Sequence, residues 1–191
     1  MSKIETRDRI LDAALSVFAG KGYHRATVDD IVRASATSKG AVYHHFSNKE
    51  SIFVALVDAF TERLAGAVAR AIAERRGGLA KVEGALTAAL YTFSENGRLA
   101  RLILLEAVGL GALWEAKRAE VHGRFAALIQ GYLDEAVREG AIPPVDTRVA
   151  TLVWLGAVNE VVIDWLHGRD PDLAATIPTL TGLLLRSIRA G

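Results

Sequence analysis

Apolar positions along this chain recur three and four residues apart, the spacing of one helix face, and no stretch alternates convincingly as a strand would. Ile10, Leu11, Ala14, Leu15 and Phe18 mark a first helix, which Gly20-Lys21-Gly22 closes. Thr27, with Asp30 three residues on, predicts the N-cap of a second helix, and Ser35-Ala36-Thr37-Ser38 keeps it short. Ser38 can cap a third, running to about His45. Ser47-Asn48-Lys49-Glu50 has the capping-box form S-x-x-E. It predicts a fourth helix from Asn48 to about Arg76, before Gly77-Gly78. Further helices are predicted over 79–95, 98–109, 112–139, 146–167 and 171–189, the last with Asp170-Pro171 placing proline at its first helical position.

The pattern predicts an all-α chain of about nine helices. Three short helices to residue 47 form one part, and residues 48–191 form a larger helical body. The fourth helix joins them without a linker. Composition agrees: 51% of residues are hydrophobic but only 7% aromatic, so Ala, Leu and Val carry the core and helices are favoured over sandwiches. The chain has no cysteine, which excludes disulfides, thiolate metal sites and cysteine nucleophiles. The start, MSKIETRDRILDAAL, is charged and lacks an apolar leader core, so a cytoplasmic protein is expected. The most apolar run, Val149–Leu166, is interrupted by Asn159, Glu160 and Asp164 and reads as a packing helix, with no membrane span expected.

The net charge of +1 is uninformative, but its distribution is not. Residues 31–49 hold Arg33, Lys39, Lys49 and two histidines without one acid. Such a run fits chance composition or a surface that meets a polyanion. Helices this short do not stand alone, so the second and third must pack on the first through Ile31, Val42 and Phe46 with Leu15 and Phe18. With Val42 and Phe46 inward, the third helix turns Lys39, Gly40, Tyr43 and His44 outward, with His45 at its end. Lysine donates to phosphate or guanine, Tyr and His add hydrogen bonds and flat apolar contact, and Gly40 permits close backbone approach. Thr27 and Lys49 sit at helix starts, where free N–H groups favour a phosphate. Tyr43 also fits a core position. His44 and His45 point to different faces and have no matching acid, so they make a poor chelating pair, and no metal or cofactor is expected.

The run from Arg9 to Leu56 resembles the DNA-binding domain of the TetR family of transcriptional regulators. The residues that carry this are Ile10-Leu11-Asp12-Ala13-Ala14, Phe18, Lys21-Gly22-Tyr23, Ala26-Thr27-Val28, Ile31, Ser38-Lys39-Gly40, Val42-Tyr43-His44-His45-Phe46 and Lys49-Glu50. The resemblance implies a homodimeric repressor that binds a palindromic double-stranded DNA operator and is released by a small hydrophobic effector. It implies Lys39, Gly40, Tyr43 and His44 in the major groove, with Thr27, His45 and Lys49 on phosphates. Ala36 stands where the family usually has glycine, and Ala41 where many members have threonine. If Ala36 is left-handed, it costs about 1 kcal/mol.

Helix 146–167 is apolar on nearly every side, so it needs two partners. One face should line the body's core. The other, through Val158, Val162 and Trp165 with Leu180, Leu183, Leu184 and Ile188, is expected to pack on a second subunit. The resemblance implies the same four-helix interface. Candidate effector-binding residues are Tyr91, Leu102, Leu105, Trp114, His122, Phe125, Ile129, Trp154 and Asn159, although His122 fits a surface or packing role better and Asn159 fits a helix-bonding role equally well. LLEAVGLG, IQGYLDEAVREGAIPP and WLGAVNEVV are similar to regulators of fatty-acid metabolism, which implies an acyl-CoA effector. An enzyme is not expected: G-x-S-x-G and Walker A are absent, and Gly109-Leu110-Gly111 is only a fragment of a dinucleotide signature. A helical small-molecule carrier that does not bind DNA is the competing reading.

Overall fold

In the computed structural model the described residues are 3–107, 111–168 and 172–188. They form α1 (Lys3–Lys21), α2 (Val28–Ser35), α3 (Lys39–His45), α4 (Lys49–Ala73), α5 (Gly78–Glu95), α6 (Gly97–Arg101), α7 (Ala112–Arg138), α8 (Thr147–Leu166) and α9 (Leu173–Ser187). No strand occurs among the described residues.

Contacts group the chain into two compact units, one of residues 1–61 and 98–115, the other of residues 62–97 and 116–191. The sequence-based division at residue 47 differs from this grouping, in which the start of α4 lies in the first unit and Lys49 and Phe53 meet Tyr23 between α1 and α2. In that unit α1 packs on α2 and α3. Ile10, Ala14, Phe18, Ile31 and Val42 are fully buried and Phe46 nearly so, whereas Leu15 is only half-buried. Tyr23 lies between Phe18 and Phe53, ring centroids 5.2 and 5.3 Å away, and Phe53 meets Trp114 edge-on at 5.3 Å.

Two elements differ from the pattern-based expectation. α4 is capped by Asn48: its Oδ1 accepts from the Ser51 N–H at 2.7 Å, and Ser51 Oγ accepts from the Asn48 N–H at 3.2 Å. The pair one residue on from Ser47 and Glu50 therefore forms the reciprocal cap. The helix predicted over 98–109 is instead α6 followed by a π turn (Leu102–Glu106), closed by the Ala107 N–H on Leu102 O at 3.0 Å. Residues 108–110, with Gly109-Leu110, lie outside the described residues, as do Asp170, Pro171 and residue 189. Asp172 caps α9, its Oδ1 accepting from the Ala174 N–H at 2.9 Å.

In the second unit α5 packs against α9 and α8. Val82, Leu90, Leu133, Trp154, Val162, Leu173 and Ile177 form its centre. The Trp154 N–H donates to Ser187 Oγ at 3.3 Å, joining α8 to the end of α9. α5 begins hard against α7: a Cβ on Gly78 would stand 2.3 Å from Tyr132 O and 2.5 Å from Ala136 N. The Gly78 N–H donates to Glu139 Oε2 at 2.9 Å, and Lys81 pairs with Glu135 at 2.6 Å.

Candidate nucleic-acid interface

The candidate interface begins with two caps and a turn. Thr27 caps α2. Its Oγ1 accepts from the Asp30 N–H at 3.1 Å, while Asp30 Oδ2 accepts from the Thr27 N–H at 3.1 Å and from its hydroxyl at 2.9 Å. Asp30 Oδ1 also accepts from Lys21 Nζ at 2.7 Å and pairs with Arg33. The Lys21 hydrogen bond, then that of Thr27, hold the Asp30 carboxyl far below the usual carboxylate range. Asp30 thus fixes the start of α2 and joins it to the end of α1.

Ala36 ends α2 with φ 50° and ψ 39°, the left-handed conformation, and its N–H donates to Arg33 O at 3.3 Å. It is the one non-glycine residue with positive φ among the described residues. The turn therefore has the geometry that glycine would favour, kept with an alanine. Ser38 then caps α3, Oγ accepting from the Ala41 N–H at 3.1 Å.

From this frame α3 buries Val42 and leaves Lys39, Gly40, Tyr43 and His44 exposed, Tyr43 at 47%. Tyr43 is thus a surface residue and not a core one. His45 is half-buried between His44 and Phe46, ring centroids 5.3 and 6.2 Å away. Lys39 Nζ pairs with Asp29 Oδ1, in the first turn of α2, at 2.9 Å. That hydrogen bond and the nearby charge raise the Lys39 ammonium above its ordinary value.

Two expected phosphate ligands have other partners. Lys49 turns inward, its Nζ donating to Tyr23 O at 2.8 Å and Ala26 O at 3.0 Å and lying 4.4 Å from the Tyr23 ring centroid. Burial lowers its ammonium below the ordinary lysine value and also raises the Tyr23 hydroxyl, with the Glu50 charge adding to the latter. The exposed Thr27 has its single O–H directed at Asp30. Both side chains bond within the frame that carries α3.

Sequence reasoning missed Asp29 and the Lys21–Asp30–Arg33 cluster. Asp29 reaches Lys39 across a turn, a separation with no periodic signature, so no sequence signal announced it.

The body residues separate differently from expectation. Trp154 belongs to the α8–α9 core, and Leu102, Trp114 and Ile129 are also buried. Phe125 and Leu105 are half-buried, while Tyr91, His122 and Asn159 are exposed. The candidate subunit surface needs a correction. Val158, Val162, Leu180, Leu184 and Ile188 are buried within their own chain, and Trp165 packs over Gly97, where an added Cβ would lie 2.8 Å from its ring. Of the expected seven only Leu183 is exposed, at 54%. The uncovered stripe on α8 is Val149, Leu152 and Val153, on the opposite side from Thr151, Trp154 and Val158. Periodicity shows that such a helix has two apolar faces, but not which one its own chain covers.

Residues 10–56 match the family model described as bacterial regulatory proteins, tetR family. Over 185 residues the chain is 26% identical to the fatty acid metabolism regulator protein of Bacillus subtilis (strain 168), covering 94% of each. Among solved structures, the fatty acid degradation regulator FadR from Bacillus halodurans superposes with a TM-score of 0.81 at 28% identity, covering 95% of this chain and 99% of that one. The transcriptional regulator FadR from Bacillus subtilis, solved in complex with stearoyl-CoA, gives 0.81 at 26% identity over 94% and 98% of the two chains.

Proposed function

We propose that this chain, whose residues 10–56 match the tetR family of bacterial regulatory proteins, is a cytoplasmic, ligand-responsive repressor that grips a palindromic operator as a homodimer. The observation that carries this is α3: a capped seven-residue helix anchored by Val42, with Lys39, Gly40, Tyr43 and His44 on its free side. These side chains match what a major groove offers. Lysine suits guanine O6 and N7, tyrosine and histidine suit base edges and the thymine methyl, and glycine admits the backbone. Residues 1–47 serve as the DNA-binding domain and 48–191 as the ligand-binding and dimerisation domain, with α4 running from one to the other.

Dimerisation uses the α8 stripe of Val149, Leu152 and Val153 with Leu183 of α9. α8 is long and apolar enough to cross a membrane by length and composition. However, its exposed side also carries Arg148, Asn159 and Glu160, which suit a second subunit and not lipid. Leu152→Glu combined with Val153→Glu is expected to give monomers in analytical ultracentrifugation. A dimer that survives both charges places the interface elsewhere.

The effector is a small hydrophobic molecule, and an acyl-CoA is the class supported by the relative bound to stearoyl-CoA. It acts by shifting α4 and so the spacing of the two α3 helices, which must lie about 34–36 Å apart to enter successive major grooves. Only an effector with unequal affinity for the two states can do this. The test is a fluorescence-anisotropy titration with the upstream DNA of the protein's own gene. Specific binding should disappear in the variant Lys39→Ala, Tyr43→Ala, His44→Ala while the dimer persists, and long-chain acyl-CoA should release the parent. Retained sequence preference in the triple variant refutes α3 as the reader. Release by an unrelated drug-like molecule, with acyl-CoA inert, refutes the effector class.

A further inference from the structure

The surface formed by α2 and α3 is acid-free from residue 31 to 49, yet one exposed acid stands directly on it. Asp29, 61% exposed, holds Lys39, 60% exposed, at 2.9 Å. The neighbouring Asp30 is different in kind, being buried and bound by Lys21, Arg33 and Thr27. An exposed carboxylate on a face that meets phosphates opposes binding, so it calls for a compensating role. As a contribution to folding, an exposed pair of this sort is small. Its value is geometric.

We propose that Asp29 is a specificity-determining residue that positions Lys39 on a guanine edge and away from phosphate. This rests on the reading of α3 as the DNA-reading helix. A lysine ammonium has three donors and no directional preference of its own. Asp29 takes one of them and fixes the azimuth of the other two. Guanine presents two acceptors in the major groove, O6 and N7, which two N–H groups satisfy. The Asp29 charge also makes the adjacent volume unfavourable for a phosphate, the other destination open to a flexible lysine. The Ser38 cap on the Ala41 N–H keeps the first turn of α3, and with it the Lys39 backbone, in a fixed place relative to Asp29. Without Asp29 the lysine would still bind DNA, but through any phosphate within reach.

The test selects sequences from a random pool of double-stranded DNA with the parent, Asp29→Asn, Lys39→Ala and the double variant. It then measures affinity for the parent-selected duplex and for a random duplex of equal length across salt concentrations. For Asp29→Asn the expected results are a loss of guanine preference at one position per half-site and a two- to fivefold rise in affinity for random DNA, about what one exposed ion pair is worth. The salt slope for random DNA should steepen by about one phosphate contact per subunit, near 0.9 in log–log terms. In the Lys39→Ala background, Asp29→Asn should alter neither the selected sequence nor the random-DNA slope. Unchanged guanine preference in Asp29→Asn overturns the proposal. So does an effect of Asp29→Asn that persists in full without Lys39, because Asp29 would then act on the DNA directly. If the parent enriches no sequence at all, the DNA-reading assignment of α3 is what fails.

Discussion

Replacing Ala36 with glycine should stabilise the protein, against the usual direction of an alanine-to-glycine change. Ala36 sits at φ 50°, ψ 39° at the end of α2. There its Cβ crowds the carbonyl, at roughly 1–2 kcal/mol for an L-residue in the left-handed region. Glycine removes that strain but loosens the unfolded chain, returning roughly 0.4–1 kcal/mol. The net gain is about 0.5–1 kcal/mol by these two terms. For a chain of 191 residues, where 1 kcal/mol moves Tm by about 2–4 °C, Ala36→Gly should raise Tm by about 1–4 °C. In urea the midpoint should rise with the slope unchanged. Ala34, exposed within α2 two residues earlier, is the control. Its backbone is helical, so Ala34→Gly should lose about 0.5–1 kcal/mol. Operator affinity should stay constant for Ala36→Gly, because glycine keeps the same dihedrals and α3 keeps its direction. Two substitutions that move stability in the same direction would refute the assignment of strain to Ala36.

Lys49→Met should cost about 1–3 kcal/mol in urea denaturation, because the Tyr23 and Ala26 carbonyls lose their donor in a partly buried place. Gly78→Ala should destabilise by about 1–3 kcal/mol through overpacking, since the added carbon meets the Tyr132 and Ala136 backbone and not a side chain that can turn away. Asp30 has a native pKa depressed below its unfolded value of about 3.9. Its contribution is therefore complete above that value and is lost as pH falls from there toward the native one. Asp30→Asn should flatten the acid limb of a stability–pH profile and leave a constant deficit at neutral pH.

What the sequence revealed and what it hid follow from the range of the interactions involved. Caps at Thr27 and Ser38 and the inward set Ile31, Val42 and Phe46 are local patterns, and the structure places them where periodicity does. The αL turn at Ala36 was legible only because the neighbouring motif marks that place; its own residue type argues against it. The α4 cap moved one residue because Asn48 and Ser51 compete with Ser47 and Glu50 for the same orphan N–H groups. The π turn after α6 carries no pattern of its own, since LILLE suits any helix. The inward turn of Lys49 needs the placement of α4 on the α1–α2 connection, and the pairing of Lys39 with Asp29 needs the arrangement of α3 on α2. Both faces of α8 are apolar, so only packing against α5 and α9 decides which one the chain itself covers.

The ammonium of Lys49 reaches back 26 residues to Tyr23 and 23 to Ala26. Those bonds close a loop that contains all of α2 and α3. A closed loop has little entropy to gain by opening one helix alone, since both of its ends remain pinned. α2 and α3 should therefore open together, and their amides should exchange with a common free energy in native-state hydrogen exchange. Losing the bonds would uncouple them, so α3 would open ahead of α2. A side chain at the start of α4 would then set how long α3 stays formed.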